Sequence, residues 1–289
     1  MLRLCLLLIA LLPLTGHAES VTQPAQRIVS LGSSITETVY ALGEANRLIA
    51  VDSTSQFPPA ARALPDVGYL RTLAAEGILS LEPDLILASH EAGPPQVLAQ
   101  LRNAGVRVEV LQTGPTAEHA LIAMEQLGQI LGKAESSKKL AQSNRQKLQQ
   151  LAARYQGQEA RPRVLFILGG HGAQPIIGGG DTKANTMIEL ALGQNAAISE
   201  DSSFTSYRPS NPEALLGMAP DVIVAASHGI ETIGGVDRLL KDSNLGLTPA
   251  GRSGRVIVMD SALLLGMGPR MADAATELAE KIHARQNQP

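Results

Sequence analysis

The chain has 289 residues, 44% of them hydrophobic and 18% charged, with a formal net charge of −3. That length and balance suit a globular protein of one or two domains with room for a sizeable core. The slight negative charge, with no dense Lys/Arg run, argues against nucleic acid as the main partner.

The first residues read as a secretory signal. Arg3 gives a positive start, residues 4–12 are an unbroken apolar run, Pro13 breaks it, and Gly16-His17-Ala18 puts small residues before a cut. The run is shorter than the roughly 20 residues that span a bilayer. Cleavage is expected after Ala18. Cys5, the only cysteine, lies inside the run rather than at the junction, so a mature chain would carry no disulfide, thiolate metal site or cysteine nucleophile. That suits a bacterial periplasmic protein that relies on its core.

Residues 27–31 form a short apolar run ended by Gly32. Ser33 or Ser34 is expected to cap a helix through Gly43, with Glu37 in its first turn. Residues 48–51, 84–88 and 106–111 are the next strands, separated by helical patterns. Strands alternating with helices imply a parallel sheet covered on both faces. An amphipathic helix is expected over 116–132 and a more polar one over 134–156. The second is free of Gly and Pro until Gly157, and its length and polarity read as a bridge between domains. A strand at 163–168 ends in glycines. A helix from Asp181 to Leu190, a short one over 209–218, strands at 221–225 and 255–259, and a last helix over 271–284 complete the pattern.

The two halves can be matched. Glu76 lies seven residues before Pro83-Asp84, and Glu213 seven before Pro220-Asp221. An apolar strand follows each, and each runs into Ser-His: Ser89-His90 and Ser227-His228. Two similar α/β lobes joined by one long helix are implied: a signal peptide at 1–18, an N-terminal lobe at 19–132, a bridging helix at 133–158 and a C-terminal lobe at 159–289. In such sheets ligands sit beyond the carboxyl ends of the strands, so the cleft between the lobes is the expected site. A continuous helix resists bending, which predicts a small tilt on ligand binding rather than a wide hinge motion.

One loop stands out. Residues 66–73 (Asp-Val-Gly-Tyr-Leu-Arg-Thr-Leu) carry one of four tyrosines in a chain with no tryptophan. Tyr69 and Arg71 are either ligand contacts or packing at a lobe edge. No Gly-x-Ser-x-Gly elbow, phosphate-binding Gly-x-x-x-x-Gly-Lys-Ser/Thr loop or His-Glu-x-x-His occurs. Gly178-Gly179-Gly180-Asp181 opens a helix but no Lys-Ser/Thr follows. An enzyme is not indicated.

The mature chain as a whole resembles the periplasmic haem-binding proteins of bacterial ABC importers, within the helix-linked class III that also carries siderophores and cobalamin. The class-level marks are the two Glu-to-Pro-Asp segments and the bridging helix. Closer to the haem branch are VGYLRTLAAEGILSLEPDL, HEAGPP at 90–95, YRPSNPEAL at 207–215 and GMGPR at 266–270. The resemblance implies that Tyr69 ligates ferric haem iron. A phenolate is a hard donor suited to Fe(III), and free tyrosine, with a pKa near 10, needs its anion stabilised. Arg71 would support that phenolate or pair with a propionate. His171, in Gly169-Gly170-His171-Gly172, is expected on a loop facing Tyr69 as the second iron ligand; some relatives use a histidine from this region and others tyrosine alone. Tyr207 is expected to pack. The ligand implied is haem b (hemin). The partners are an inner-membrane permease dimer with its ATPase, and an outer-membrane haem receptor upstream. Glu76 and Glu213 match the glutamates with which the class docks on arginines of its permease, and each also suits a helix start.

The rival readings are a Zn or Mn site built from His90, His171 and His228, and a ferric siderophore site. The matched His90 and His228 read more simply as inherited repeat sequence, each bonding its own loop. His119 and His283 are expected at the surface.

Overall fold

The computed structural model describes residues 24–157, 161–171, 174–199 and 204–284. The signal segment at 1–18, with Cys5, lies outside the described residues. The strands are β1 (Ile28–Leu31), β2 (Leu48–Val51), β3 (Leu85–Ser89), β4 (Arg107–Leu111), β5 (Arg163–His171), β6 (Gln174–Gly178), β7 (Gln194–Asn195), β8 (Tyr207–Pro209), β9 (Val222–Ala226) and β10 (Val256–Met259). The helices are α1 (Ser33–Ala41), α2 (Ala75–Leu79), α3 (Pro95–Asn103), α4 (Ala117–Leu131), α5 (Ala134–Arg154), α6 (Lys183–Leu190), α7 (Pro212–Met218), α8 (Ser227–Ile233), α9 (Val236–Asp242), α10 (Pro249–Arg252), α11 (Ser261–Leu265) and α12 (Met271–His283).

The expected α/β architecture is present, with two sheets. The first is parallel throughout, in the order β2-β1-β3-β4. Its strands are short apolar runs because both faces are covered. Val29, Leu31, Ile86 and Ala88 pack toward Leu98 and Leu101 of α3. Ile28, Leu85 and Leu87 point the other way, toward Ile35 and Val39 of α1 and Leu127 and Leu131 of α4.

The second sheet runs β10-β9-β5-β6-β8, with β7 beside β5. Here β10, β9 and β5 are parallel, while β6 and β8 are antiparallel. The lobes therefore share a parallel centre but not an edge. The strand expected at 163–168 continues through the glycines to His171 and doubles back as β6. A Cβ on Gly170 would lie 3.2 Å from Pro175 Cα, and one on Gly229 would collide with the Leu168 carbonyl, so glycine at these two positions lets the hairpin pass close to its neighbours.

Helix starts differ from the sequence expectation in informative ways. Gly32, not Ser33 or Ser34, caps α1, with φ +132° and no side-chain cap. A Cβ there would lie 3.1 Å from the Ser89 Cβ, so the turn is built for glycine. Glu37 is consequently past the first turn, in the buried middle of α1. Thr182 rather than Asp181 caps α6, and Asn211 caps α7, with Pro209 belonging to β8. Thr116 and Gly132 close the two ends of α4 as expected.

At 21 residues, α5 is about 31 Å long. It lies against α4 and α12. Asn144 is its buried polar anchor: Nδ2 donates to the Pro269 carbonyl at 3.0 Å, and Oδ1 accepts from the Ala272 amide at 3.2 Å. Helix α4 serves both halves. Its Leu127 and Leu131 join the first sheet's core, while Ala120, Leu121 and Met124 join the core of the second.

Candidate functional site

The Tyr69 loop is fixed by alternation and by backbone hydrogen bonds. Leu70 and Leu73 are 6% and 5% exposed and sit in the first lobe's core, while Tyr69, between them and solvent, is 46% exposed. The Gly93 amide donates to the Leu70 carbonyl at 2.8 Å, and the Leu73 amide to the Gly93 carbonyl at 2.9 Å. Gly68, at φ +93°, turns the chain, and its carbonyl accepts from the Ser53 amide at 3.0 Å. Ser53 follows the buried Asp52, whose carboxylate gathers the Gly32 amide at 2.8 Å, the Ser55 hydroxyl at 2.7 Å and the Thr54 amide and hydroxyl. The turns after β1 and β2 are thus tied together beneath the tyrosine. Tyr69 is presented on a rigid seat, with its own ring left out of the core.

Arg71 belongs to the same loop, and its Nη2 donates to Glu91 Oε1 at 2.6 Å. The other Glu91 oxygen accepts from Lys183 Nζ at 3.0 Å. Lys183 belongs to α6 of the second lobe, so Glu91 bridges the lobes beside Tyr69. Burial pushes the Glu91 carboxyl up, but Lys183 and Arg71 outweigh it and hold the group below the ordinary carboxylate value. Tyr207, by contrast, is half-buried with its ring edge-on to Phe166 at 6.3 Å. Burial raises its pKa, which keeps it a neutral phenol and fits the packing role expected of it.

His171 ends β5, paired with Gln174, rather than lying on a free loop; its side chain lies outside the described residues. The matched Ser-His pairs diverge. His90 lies in a turn after β3, its Nδ1 3.1 Å from the Thr113 hydroxyl, which also meets Ser89 Oγ at 2.7 Å. Partial burial lowers the His90 pKa, with Glu91 opposing. His228 instead begins a helix, faces solvent, and has Glu231 at 3.9 Å. Among the described residues no group of three or more His, Cys, Asp or Glu side chains comes together. His119 is exposed, with Nδ1 2.8 Å from its capping Thr116 hydroxyl. His283 is not a surface residue: Nε2 donates to the Ala191 carbonyl at 3.1 Å, the ring lies 4.4 Å from that of Tyr155, and burial lowers its pKa.

Glu76 and Glu213 occupy the same position, the second residue of α2 and of α7, both exposed. Among the described residues neither carboxylate has an ion-pair partner.

Sequence reasoning missed a second tie between the lobes. Arg270 donates from Nε and Nη2 to the two Glu37 oxygens at 2.9 and 2.7 Å. The Glu37 side chain is only 4% exposed. The guanidinium also lies 3.5 Å from the centroid of the Phe57 ring. Gly268 permits the approach, since a Cβ there would meet Ser34 Cα at 3.2 Å. The only signal in the sequence was the 266–270 motif itself, which carries no hint of its partner.

Three kinds of comparison bear on this arrangement. A family model described as "Periplasmic binding protein" matches residues 28–263. The vitamin B12-binding protein of Vibrio cholerae serotype O1 is 35% identical over 215 residues, 72% of each chain. The structure of the periplasmic heme-binding protein RhuT from Roseiflexus sp. RS-1, in apo form, aligns with a TM-score of 0.85 at 37% identity, covering 90% of this chain and 98% of that one. The periplasmic heme-binding protein BhuT in complex with two hemes aligns with a TM-score of 0.81 at 39% identity, covering 89% and 97%.

Proposed function

We propose, from the premise that the chain belongs to the periplasmic binding protein family, that it is the periplasmic haem carrier of an ABC importer. It binds ferric haem in the cleft between its two lobes, with the Tyr69 phenolate on the iron. It then delivers the haem to an inner-membrane permease dimer driven by a separate ATPase. The leader at residues 1–18 directs export and is removed. An outer-membrane haem receptor stands upstream.

The observation that carries this reading is the seat of Tyr69: an exposed phenol on a loop whose neighbours Leu70 and Leu73 are locked in the core. A rigid element that presents a hard oxygen donor is what ferric iron needs. Arg71, one residue beyond Leu70, supports the site as a cation. His171 is the second ligand to iron, reached from the tip of β5. Glu76 and Glu213, unpaired and equivalent on the two lobes, are the docking pair for the permease arginines. Such rim charges set encounter rate and register more than affinity. Residues 133–158 form the bridge on which the lobes at 19–132 and 159–289 tilt.

Similarity to a vitamin B12-binding protein makes a corrinoid the second reading. Coverage favours haem: the heme-binding structures align over about nine-tenths of the chain, the B12 relative over 72%. The experiment is a titration of the mature protein with hemin, cobalamin and Zn²⁺. Hemin is expected to give a Soret band and the charge-transfer bands of tyrosinate-ligated ferric haem, and Tyr69→Ala to abolish the latter. Tight cobalamin or Zn²⁺ binding with no spectral response to hemin would overturn the reading. Loss of the sixth ligand in His171→Ala spectra tests the second ligand, and Glu76→Lys or Glu213→Lys should impair uptake while leaving hemin affinity intact.

A further inference from the structure

The charge arrangement beside Tyr69 has a feature that haem ligation by tyrosine does not require. Lys183 is the first residue of α6, where the unpaired N–H groups of a helix disfavour a cation. No acidic residue of that first turn offsets it. The side chain is nonetheless only 20% exposed and extends across the cleft to Glu91. Glu91 spends one oxygen on Lys183 and the other on Arg71, so two cations from opposite lobes close on a single carboxylate. The triad carries two positive charges and one negative. It is a socket with the shape and charge for a carboxylate, currently filled by the protein's own, and with a net positive charge left over to attract another.

We propose that Glu91 holds the place of a ligand carboxylate, and that Lys183 and Arg71 exchange it for the free carboxylates of the incoming tetrapyrrole. The inference rests on the haem reading and adds selectivity to it: the site sorts porphyrins by side-chain carboxylates as well as by iron. Lysine suits the exchange because its ammonium is a point charge without a fixed bidentate geometry, and it can leave one carboxylate for another without reorientation. A tetrapyrrole whose side chains are amides or esters offers nothing to replace Glu91 and leaves the two lobes pinned by the resident pair.

The test compares hemin with hemin dimethyl ester, in one solvent mixture, on the mature protein and on Lys183→Gln, Lys183→Arg and Glu91→Gln. The native protein is expected to prefer hemin by about tenfold or more. Lys183→Gln should lower hemin affinity by about tenfold and move the ester little, collapsing the preference. Lys183→Arg should retain it. Glu91→Gln should strengthen hemin binding by a few-fold, because the competing carboxylate is gone. Equal affinity of the native protein for hemin and ester overturns the inference while leaving Tyr69 ligation standing, as does an equal loss for both ligands in Lys183→Gln. Absence of any Soret response to either porphyrin overturns the haem reading and this inference together.

Discussion

Among the described residues two ion pairs cross between the lobes, and they are built in opposite ways. Glu37 and Arg270 meet through two parallel hydrogen bonds, with the carboxylate almost wholly covered and the guanidinium stacked on Phe57. Lys183 and Glu91 meet through one hydrogen bond, at a carboxylate shared with Arg71, with a quarter of the Glu91 side chain in solvent. A bidentate pair that is desolvated is costly to break, because each partner would be left buried and unpaired. A single, partly solvated lysine contact is worth little in stability and is easily exchanged. The first pair behaves as a rivet and the second as a latch. A binding protein with a stiff bridging helix needs both. One fixed point keeps the lobes in register, and one releasable point joins them at the Tyr69 loop.

Making the same substitution at both ties is the sharpest way to break this contrast. Glu37→Gln should destabilise the protein by about 3 kcal/mol, the lower end for a broken buried pair because Arg270 keeps part of its surface wet. Calorimetry should register a fall in Tm of about 6–10 °C. A drop no larger than that of Glu91→Gln would show that the two ties are equivalent. Removing only the ring beneath the guanidinium, by Phe57→Ala, should cost about 1 kcal/mol in urea unfolding, since that ring is part-exposed. Glu91→Gln should cost less than about 1 kcal/mol at neutral pH. Its pH dependence carries a sign. The Glu91 carboxyl is held below its ordinary value in the fold, so its contribution is present above the unfolded pKa, about 4.5, and is lost as pH falls through the folded value. Native and Glu91→Gln unfolding curves should therefore converge as pH falls through the folded value. The smallest effect concerns His283. Burial lowers its pKa, so the unfolded chain takes up its proton first and stability declines as pH drops below about 6.5. His283→Gln should flatten that decline in denaturant titrations run as pH falls from the unfolded value through the folded one.

Much of the frame was readable from residues. The first-sheet strands announced themselves as short apolar runs between turns, and α4 by its amphipathic spacing. The Tyr69 loop could be read because local alternation decides which side chain goes in and which stays out. The edge of the second sheet could not. Residues 169–180 are rich in glycine and lack the β-branched alternation that marks a strand, and β6 and β8 exist because a neighbouring backbone is there to pair with. The Ser-His repeat is one of sequence rather than of environment. Sequence symmetry survives at Ser89-His90 and Ser227-His228, but one pair turns and the other starts a helix, so the imidazoles do not occupy matching environments. The interlobe ties were invisible because no local spacing encodes them: Lys183 lies 92 residues from Glu91, and Arg270 lies 233 residues from Glu37.

That last separation has a consequence in time. Glu37 lies in α1, beside the first strand, yet its counter-charge lies 233 residues later, at the start of α12. Until α12 docks, that carboxylate has no counter-charge, and burying it unpaired in α1 is costly. A variant truncated before Arg270 should therefore be loose at α1 and clipped there by proteases, so that the docking of α12 is read out at α1.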